Sequence, residues 1–280
     1  MKLHFTKLEG CGNDYIYFNC FEQNIADPSL LSQKLSDRHF GIGGDGIILI
    51  LPSERADAMM RIFNADGSEA KMCGNGIRCV AKYVHDHGLS SNEPLKIDTL
   101  SGIKTIELQK DENDKVSSAT VDMGAPVTEA EKIPVKLNNN ELCDYMLTFN
   151  GRIYYLNPVS MGNPHCVIFT EDVDSMDISE LGSYLEKGGL FPEGANTEFL
   201  EIIGDNNIKV RVWERGSAET YACGTGACAA AYIFRKKGYG SLTDEVNVHL
   251  KGGTLKIRYT GDTVLMNGPA TEVFEGDIDI

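Results

Sequence analysis

Two cysteines 150 positions apart, Cys73 and Cys223, each open a run of the form Cys-Gly-x-Gly: Met72-Cys73-Gly74-Asn75-Gly76 and Ala222-Cys223-Gly224-Thr225-Gly226. Both runs lead into stretches that read as helices. A helix begins with unpaired N–H groups and the positive end of its dipole, so each Gly-x-Gly can cradle a carboxylate, and glycine lets the ligand approach closely. The same field favours a thiolate. Cysteines at helix starts have pKa values lowered from about 8.5 to roughly 3.5–7.5. Two such thiols suit a reaction in which one sulfur removes a proton from carbon and the other returns one to the opposite face. The implied substrate is an α-amino or α-hydroxy acid, inverted at its α-carbon.

A single Cys-Gly-x-Gly is equally well a tight turn, and the bland reading is set aside only because the surroundings repeat as well. At the same 150-residue offset Gly12-Asn13 answers to Gly162-Asn163, Leu31 and Leu35 to Leu181 and Leu185, Gly44 to Gly194, Glu69 to Glu219, and Leu100 and Gly102 to Leu250 and Gly252. Near the end the offset becomes 143, with Val121, Met123 and Pro126 matching Val264, Met266 and Pro269. A repeat this long argues for two copies of one domain. Cys79 and Cys228 break the symmetry, answering to Ala229 and Arg78, and Cys166 has no cysteine partner, so these three read as small core residues.

Composition narrows the classes. The 280 residues suffice for two domains with cores of their own. A formal net charge of -15 leaves no Lys/Arg excess for a phosphate backbone, which disfavours nucleic acid as a partner. Met1-Lys2-Leu3-His4-Phe5-Thr6-Lys7 soon meets Glu9 and Asp14, and no apolar run approaches about 18 residues, so neither a leader nor a membrane span is expected and the cytosol is. Eight cysteines in a chain of this length do not call for a disulfide framework. Zinc fails on spacing, since Cys73-x5-Cys79 and Cys223-x4-Cys228 lack the paired ligand geometry, and His85-x-His87 reads as a solvated helix end. Gly41-Ile42-Gly43-Gly44-Asp45-Gly46 has no Lys-Ser/Thr of a phosphate loop and reads as a turn.

The elements that must position the thiols recur in both halves. Strands are expected over 15–19, 47–51, 59–63, 96–99, 104–108 and 118–122, mirrored by 166–170, 197–202, 208–213, 246–250, 254–259 and 263–266. Asp27-Pro28-Ser29 and Asp177-Ile178-Ser179 look like N-caps of helices carrying the paired leucines. The cysteine-led helices run through Val84 and Phe234; the second is apolar nearly all round, which fits burial inside a curved sheet. The expected fold is α/β (α+β): two pseudo-symmetric duplicated domains, each a curved, mostly antiparallel or mixed sheet rolled around a central helix.

Several phrases together resemble the diaminopimelate epimerases: Gly12-Asn13-Asp14, Phe63-Asn64-Ala65-Asp66-Gly67-Ser68-Glu69, Met72-Cys73-Gly74-Asn75-Gly76-Ile77-Arg78-Cys79, Gly162-Asn163-Pro164-His165-Cys166, Gly194-Ala195-Asn196, Trp213-Glu214-Arg215-Gly216 and Ala222-Cys223-Gly224-Thr225-Gly226-Ala227. The resemblance spans essentially the whole chain. It implies an isomerase that needs no cofactor, neither pyridoxal phosphate nor metal, and interconverts LL- and meso-diaminopimelate in lysine and cell-wall precursor synthesis, with a homodimer as the expected assembly. It also implies domains at 1–123 plus 269–280 and at 124–268, the final strand crossing back. By the same resemblance Cys73 and Cys223 are the proton-transfer pair, and Gly74, Asn75, Gly224 and Thr225 hold the reacting carboxylate. Asn64 and Glu214, each nine residues before its cysteine, hold the α-ammonium. Asn13, Asn163, Asn196 and Arg215 read the distal end of the substrate, where a guanidinium can grip a carboxylate bidentately. His165, with Glu214, tunes the thiols.

Alternatives remain at single positions. His165 beside Pro164 could be a turn histidine, and Asn13 or Asn163 could simply turn the backbone. Some family members place a Gln contacting the distal part of the substrate where this chain has Gly46, which answers to Asn196 across the repeat. A racemase of another amino acid, such as histidine or proline, is the nearest rival. Proline racemases carry a His where Asn75 stands here. A non-catalytic thiol-redox or metal-binding protein is the rival from a different class.

Overall fold

The computed structural model describes residues 2–137 and 142–280. The chain divides into two compact units, Met1–Asp122 with Asn267–Ile280, and Met123–Met266.

The first unit opens with β1 (Lys2–Gly10) and β2 (Asn13–Asn19), an antiparallel hairpin turned at Cys11-Gly12, where both residues take positive φ. Helix α1 (Pro28–Leu35) follows, capped by the Asp27 carboxylate on the Leu30 N–H, with proline at its first position, where no N–H is needed. Strand β3 (Gly46–Leu51) pairs parallel to β2 and antiparallel to β4 (Ala58–Asn64). The short β5 (Glu69–Ala70) lies against β4 and delivers the chain to α2 (Gly74–Asp86). Strand β6 (Leu95–Asp98) returns parallel to β4, and β7 (Lys104–Lys110) and β8 (Val116–Asp122) continue antiparallel. The unbroken apolar run Ile47 to Ile50 has no exposed face. Ile47 and Leu49 pack with Leu31 and Leu35 of α1, whereas Ile48 reaches the first turn of α2. Burying each such side chain stabilises by about 1.5–3 kcal/mol, and this anchors the start of α2 to the sheet.

The second unit repeats the plan. Strands β9 (Tyr145–Phe149), β10 (Arg152–Ser160) and β11 (Pro164–Phe169) run antiparallel, α3 (Ser179–Glu186) covers one face, and β12 (Asn196–Gly204) pairs parallel to β11. Then come β13 (Asn207–Glu214), β14 (Ala218–Thr220), α4 (Gly224–Lys236), β15 (Val246–Leu250) and β16 (Gly253–Tyr259), and β17 (Val264–Pro269) begins in this unit and ends in the first. The duplication is kept to the level of register. Tyr15 lies opposite Gly46 as His165 lies opposite Asn196, and Ile47 opposite Phe63 as Thr197 opposite Trp213. The last strand, β18 (Thr271–Asp279), belongs to the first unit and pairs antiparallel with β1. This is the mixed α/β architecture expected from the sequence, with α2 and α4 as the buried helices.

Some local expectations change. Strands β1, β5, β9, β10, β14 and β18 were not legible. β1 hides two buried polar residues, Thr6 and Lys7, in its pattern, and β10 carries Pro158 and the buried Asn157. The α3 cap is Ile178 without a side-chain bond; the Asp177 carboxylate accepts from Ser179 N–H just outside the helix. His85 is not solvated, its ring nitrogen meeting the Asp114 carbonyl at 3.0 Å, and His87 stacks on Tyr83. Cys79, Cys166 and Cys228 are fully buried, and all eight cysteines are free thiols. Gly41 to Gly46 forms turns that end in β3. Among the described residues no helix is long and apolar enough to cross a membrane, and no three His, Cys, Asp or Glu side chains could together hold a metal ion.

Candidate active site

In both units the cysteine itself caps the helix. Cys73 and Cys223 have extended backbones, and each sulfur accepts the N–H three residues on, from Gly76 at 3.3 Å and from Gly226 at 3.4 Å. A sulfur replaces the usual Ser, Thr or Asp oxygen, so the N–H groups and dipole that ordinarily settle a cap converge on a nucleophile. The glycines are needed for space. A Cβ on Gly76 would stand 2.7 Å from Ile48 Cδ1, and one on Gly226 would stand 2.6 Å from Glu198 Oε1.

In the first unit Cys73 Sγ lies 3.3 Å from Asn13 Oδ1, which draws Asn13 from the β1–β2 turn to the thiol. Asn13 Nδ2 donates to Asp45 Oδ2 at 2.6 Å. Asp45 belongs to a charge cluster: Arg38 bonds it at 3.1 Å and grips Asp14 with two bonds, while the buried Lys7 pairs with Asp14 at 2.7 Å. Burial pushes the pKa of the Tyr15 phenol well above the usual phenol value, with the charges of Cys73 and Asp45 adding and the Asn13 side chain opposing. Asn64, at the end of β4, donates to Ser68 Oγ at 3.1 Å. Gly74 and Asn75 are buried in the first turn of α2.

The second unit gathers more of its expected residues. Asn196 Oδ1 accepts Arg215 N–H at 2.9 Å, which leaves its NH2 to face Cys223 Sγ at 3.7 Å; Thr225 Oγ1 is 3.5 Å from the same sulfur. Asn163 Oδ1 and Glu198 Oε1 hold the two nitrogens of the His165 ring, at 3.0 and 2.7 Å. Glu214 accepts from the Thr220 hydroxyl. Arg215 extends to the Glu193 carbonyl at 2.8 Å.

The electrostatics of Cys223 correct the simple helix-start expectation. Burial pushes its thiol well above the usual value, and the carboxyl groups of Glu214 and Glu198 push the same way, against the Thr225 hydroxyl and the Gly226 N–H. Burial also raises the Glu214 carboxyl, with Thr220, Cys223 and His165 opposing. At this sulfur the helix start is opposed by burial and by two carboxyl groups.

Four neighbours of the thiols escaped the sequence reading: Tyr15, Asp45, Glu198 and Thr220. Tyr15 was within reach, because it stands where the repeat puts His165. Glu198 was signalled as a lone charge in the apolar run of β12, at the position of Ile48 in the first unit; it is fully buried, and its Oε2 has no hydrogen-bond partner among the described residues. Asp45 and Thr220 answer to Ala195 and Ala70, so the repeat gave no hint of them. Gly46 has a stronger reason than missing chemistry to be glycine, since a Cβ there would lie 2.1 Å from the Phe63 carbonyl oxygen.

Comparison with known proteins agrees in sequence and in fold. The family model described as diaminopimelate epimerase matches residues 5–129 and 158–273. The chain is 50% identical to the diaminopimelate epimerase of Agathobacter rectalis, covering 99% of this chain and all of that protein. It is also 50% identical to that of Brachyspira hyodysenteriae, with both chains covered completely. Among solved structures, a phenazine biosynthesis protein of the PhzF family from Bacillus anthracis superposes over the full length of both chains with a TM-score of 0.72 at 17% identity. A hydroxyproline epimerase from Agrobacterium vitis, solved with bound trans-4-hydroxy-L-proline, reaches 0.69 at 15% identity over 99% of this chain and 91% of its own. At such identities these two structures speak for the fold.

Proposed function

The chain belongs to the diaminopimelate epimerase family, and from that premise we propose that it interconverts LL- and meso-2,6-diaminopimelate with two cysteines and no cofactor. Its setting is the cytoplasmic synthesis of lysine and peptidoglycan precursors, and its working form is a homodimer. The two domains of the reaction are residues 1–123 with 269–280, carrying Cys73, and 124–268, carrying Cys223. The observation that carries the reading is that each cysteine sulfur caps a helix opening on Gly-x-Gly.

One sulfur, as thiolate, removes the α-proton; the other, as thiol, protonates the opposite face. Gly74, Asn75, Gly224 and Thr225 take the α-carboxylate at the two helix starts. Asn64 and Glu214 take the α-ammonium; Asn13, Asn163, Asn196 and Arg215 recognise the distal end; His165 tunes the charge about Cys223. The Glu214 charge is among the causes that raise the Cys223 pKa. An ammonium paired with Glu214 cancels that charge, so substrate binding itself lowers the barrier to forming the Cys223 thiolate.

Magnitudes show what the helix ends must add. A turnover of about 10 per second allows a barrier of about 16 kcal/mol, and each unit of pKa mismatch between carbon acid and base consumes about 1.4 kcal/mol of it. Amino acids are weak carbon acids. The N–H groups at the helix starts therefore stabilise the enediolate-like transition state more than the ground-state carboxylate.

The test is incubation with LL-diaminopimelate in D2O without pyridoxal phosphate or added metal. Deuterium at the α-carbon together with meso product supports the assignment; labelling only of histidine or proline selects the rival racemase. Cys73→Ser and Cys223→Ser should each lower turnover by about 10²–10⁴-fold, the usual worth of a positioned acid or base. Near-normal turnover in either variant would sink the two-thiol mechanism.

A further inference from the structure

We propose that Asp45 is a positioning residue for Cys73: it holds the Asn13 amide so that the carbonyl, and not the NH2, faces the sulfur. The orientation follows from what each atom can do. An ionised carboxylate only accepts hydrogen bonds, so the Asn13 group 2.6 Å from Asp45 Oδ2 is the NH2. The remaining amide atom, 3.3 Å from Cys73 Sγ, is therefore the carbonyl oxygen, which accepts the S–H of a thiol and repels a thiolate.

Asp45 is itself anchored. Its Oδ2 also accepts the Asp14 N–H at 3.1 Å and its Oδ1 the Arg38 guanidinium at 3.1 Å. Its backbone is fixed by Asp14 O at 2.7 Å and Ala65 N–H at 3.0 Å. Asn13 cannot turn over without facing its carbonyl to this carboxylate. The other ionisable groups acting on this corner are the Tyr15 phenol, Tyr17 and Cys79, all of which feel the Cys73 charge. The duplication supplies the contrast. Ala195 stands where Asp45 would be, the Asn163 carbonyl turns to His165, and the amide reaching Cys223 is Asn196, fixed by Arg215 N–H with its NH2 toward the sulfur. The two sulfurs thus meet amides of opposite polarity, and the first-unit amide is set by a carboxylate the second unit lacks.

The proposal rests on Cys73 being a proton-transfer group, but its test reads the sulfur directly. Iodoacetamide alkylation of Cys73 is followed by peptide mass spectrometry across pH, with Cys223 in the same molecules as control. In Asp45→Asn the Asn13 amide is free to turn its NH2 to Cys73. A thiol pKa lower by one unit gives tenfold more thiolate, while lower nucleophilicity removes about threefold. Alkylation should therefore be about threefold faster below the thiol pKa and about threefold slower above it. Looser packing would instead speed alkylation at every pH. Asn13→Ala, which removes the acceptor, should show the same crossover, and Asp45→Asn should add nothing in that background. Absence of the crossover in either single variant, or a further crossover when Asp45→Asn is added to Asn13→Ala, overturns the proposal. If Cys73→Ser kept its turnover, the two-thiol reading would fall while the alkylation result stood.

Discussion

The two Gly-x-Gly turns are alike in sequence and unequal in what they touch, so adding one methyl group to each should separate them. At position 76 the added Cβ meets Ile48 Cδ1 at 2.7 Å, the free end of a side chain that can rotate, and the Cys73 atoms remain at 3.5 and 3.6 Å. At position 226 it meets Glu198 Oε1 at 2.6 Å, a carboxylate held by His165 at 2.7 Å, and Cys223 Cβ and Sγ at 3.2 and 3.3 Å. Both substitutions gain about 1 kcal/mol of helix propensity. Gly76→Ala sets this against mild overpacking of about 1–2 kcal/mol and should come out near neutral. Gly226→Ala also weakens a buried charge-assisted hydrogen bond, about 1.5–3 kcal/mol, and should be destabilised by about 3 kcal/mol overall. Displacing Cys223 should lower its turnover by about 10²-fold, against less than about tenfold for Gly76→Ala. Urea unfolding and epimerisation rates of the two variants, measured side by side, give the comparison. Equal stability and equal activity would refute the claim that Glu198 walls the second helix start.

Gly46→Gln, which restores the side chain some family members carry, should fail to fold at 37 °C or lose more than about 3 kcal/mol in urea, because the clash is with the Phe63 carbonyl in the paired strand. An ordinary melting curve would show that β3 and β4 can part at little cost. Burial alone would raise the Asp14 carboxyl, but Arg38 and Lys7 bring it below its usual 3.8. A carboxyl depressed in the folded state stabilises above its unfolded pKa and loses that contribution as pH falls through the folded value. Asp14→Asn should therefore cost about 3 kcal/mol at pH 7, and in urea titrations the gap to the parent protein should narrow as pH falls below 3.8 and through the depressed folded value. A gap independent of pH would mean the cluster acts by shape alone.

The readable parts of this sequence were those where one physical pattern dominated. Ile47 to Leu51 and Ile208 to Trp213 declared strands through apolar runs or alternation, and Cys73 and Cys223 declared helix starts through the glycines behind them. β1 and β10 were opaque because buried polar residues interrupt their apolar pattern: Lys7 pairs with Asp14, and the Asn157 side chain donates to the Val167 carbonyl at 3.1 Å. Around the thiols, the repeat brought out residues that occur in both copies and passed over those that occur in one. Asp45 and Glu198 are single-copy charges, and a pattern of equivalences has no place for them. The raised Cys223 thiol is likewise a sum over burial and two carboxylates from different strands, which no spacing along the chain encodes.

The return of β18 to β1 has a consequence for how the molecule is made. β1 leaves the ribosome before the whole of the second unit, yet its outer edge pairs over most of its length with residues Thr271 to Asp279. Synthesis from Asp122 to that strand takes on the order of 10 s at about 5–20 residues per second. The half translated first is thus the half completed last. Until then it presents an unpaired strand edge, the feature through which chains add to one another. The intervening unit, continuous from Met123 to Met266, can close around its own helix while the older one waits.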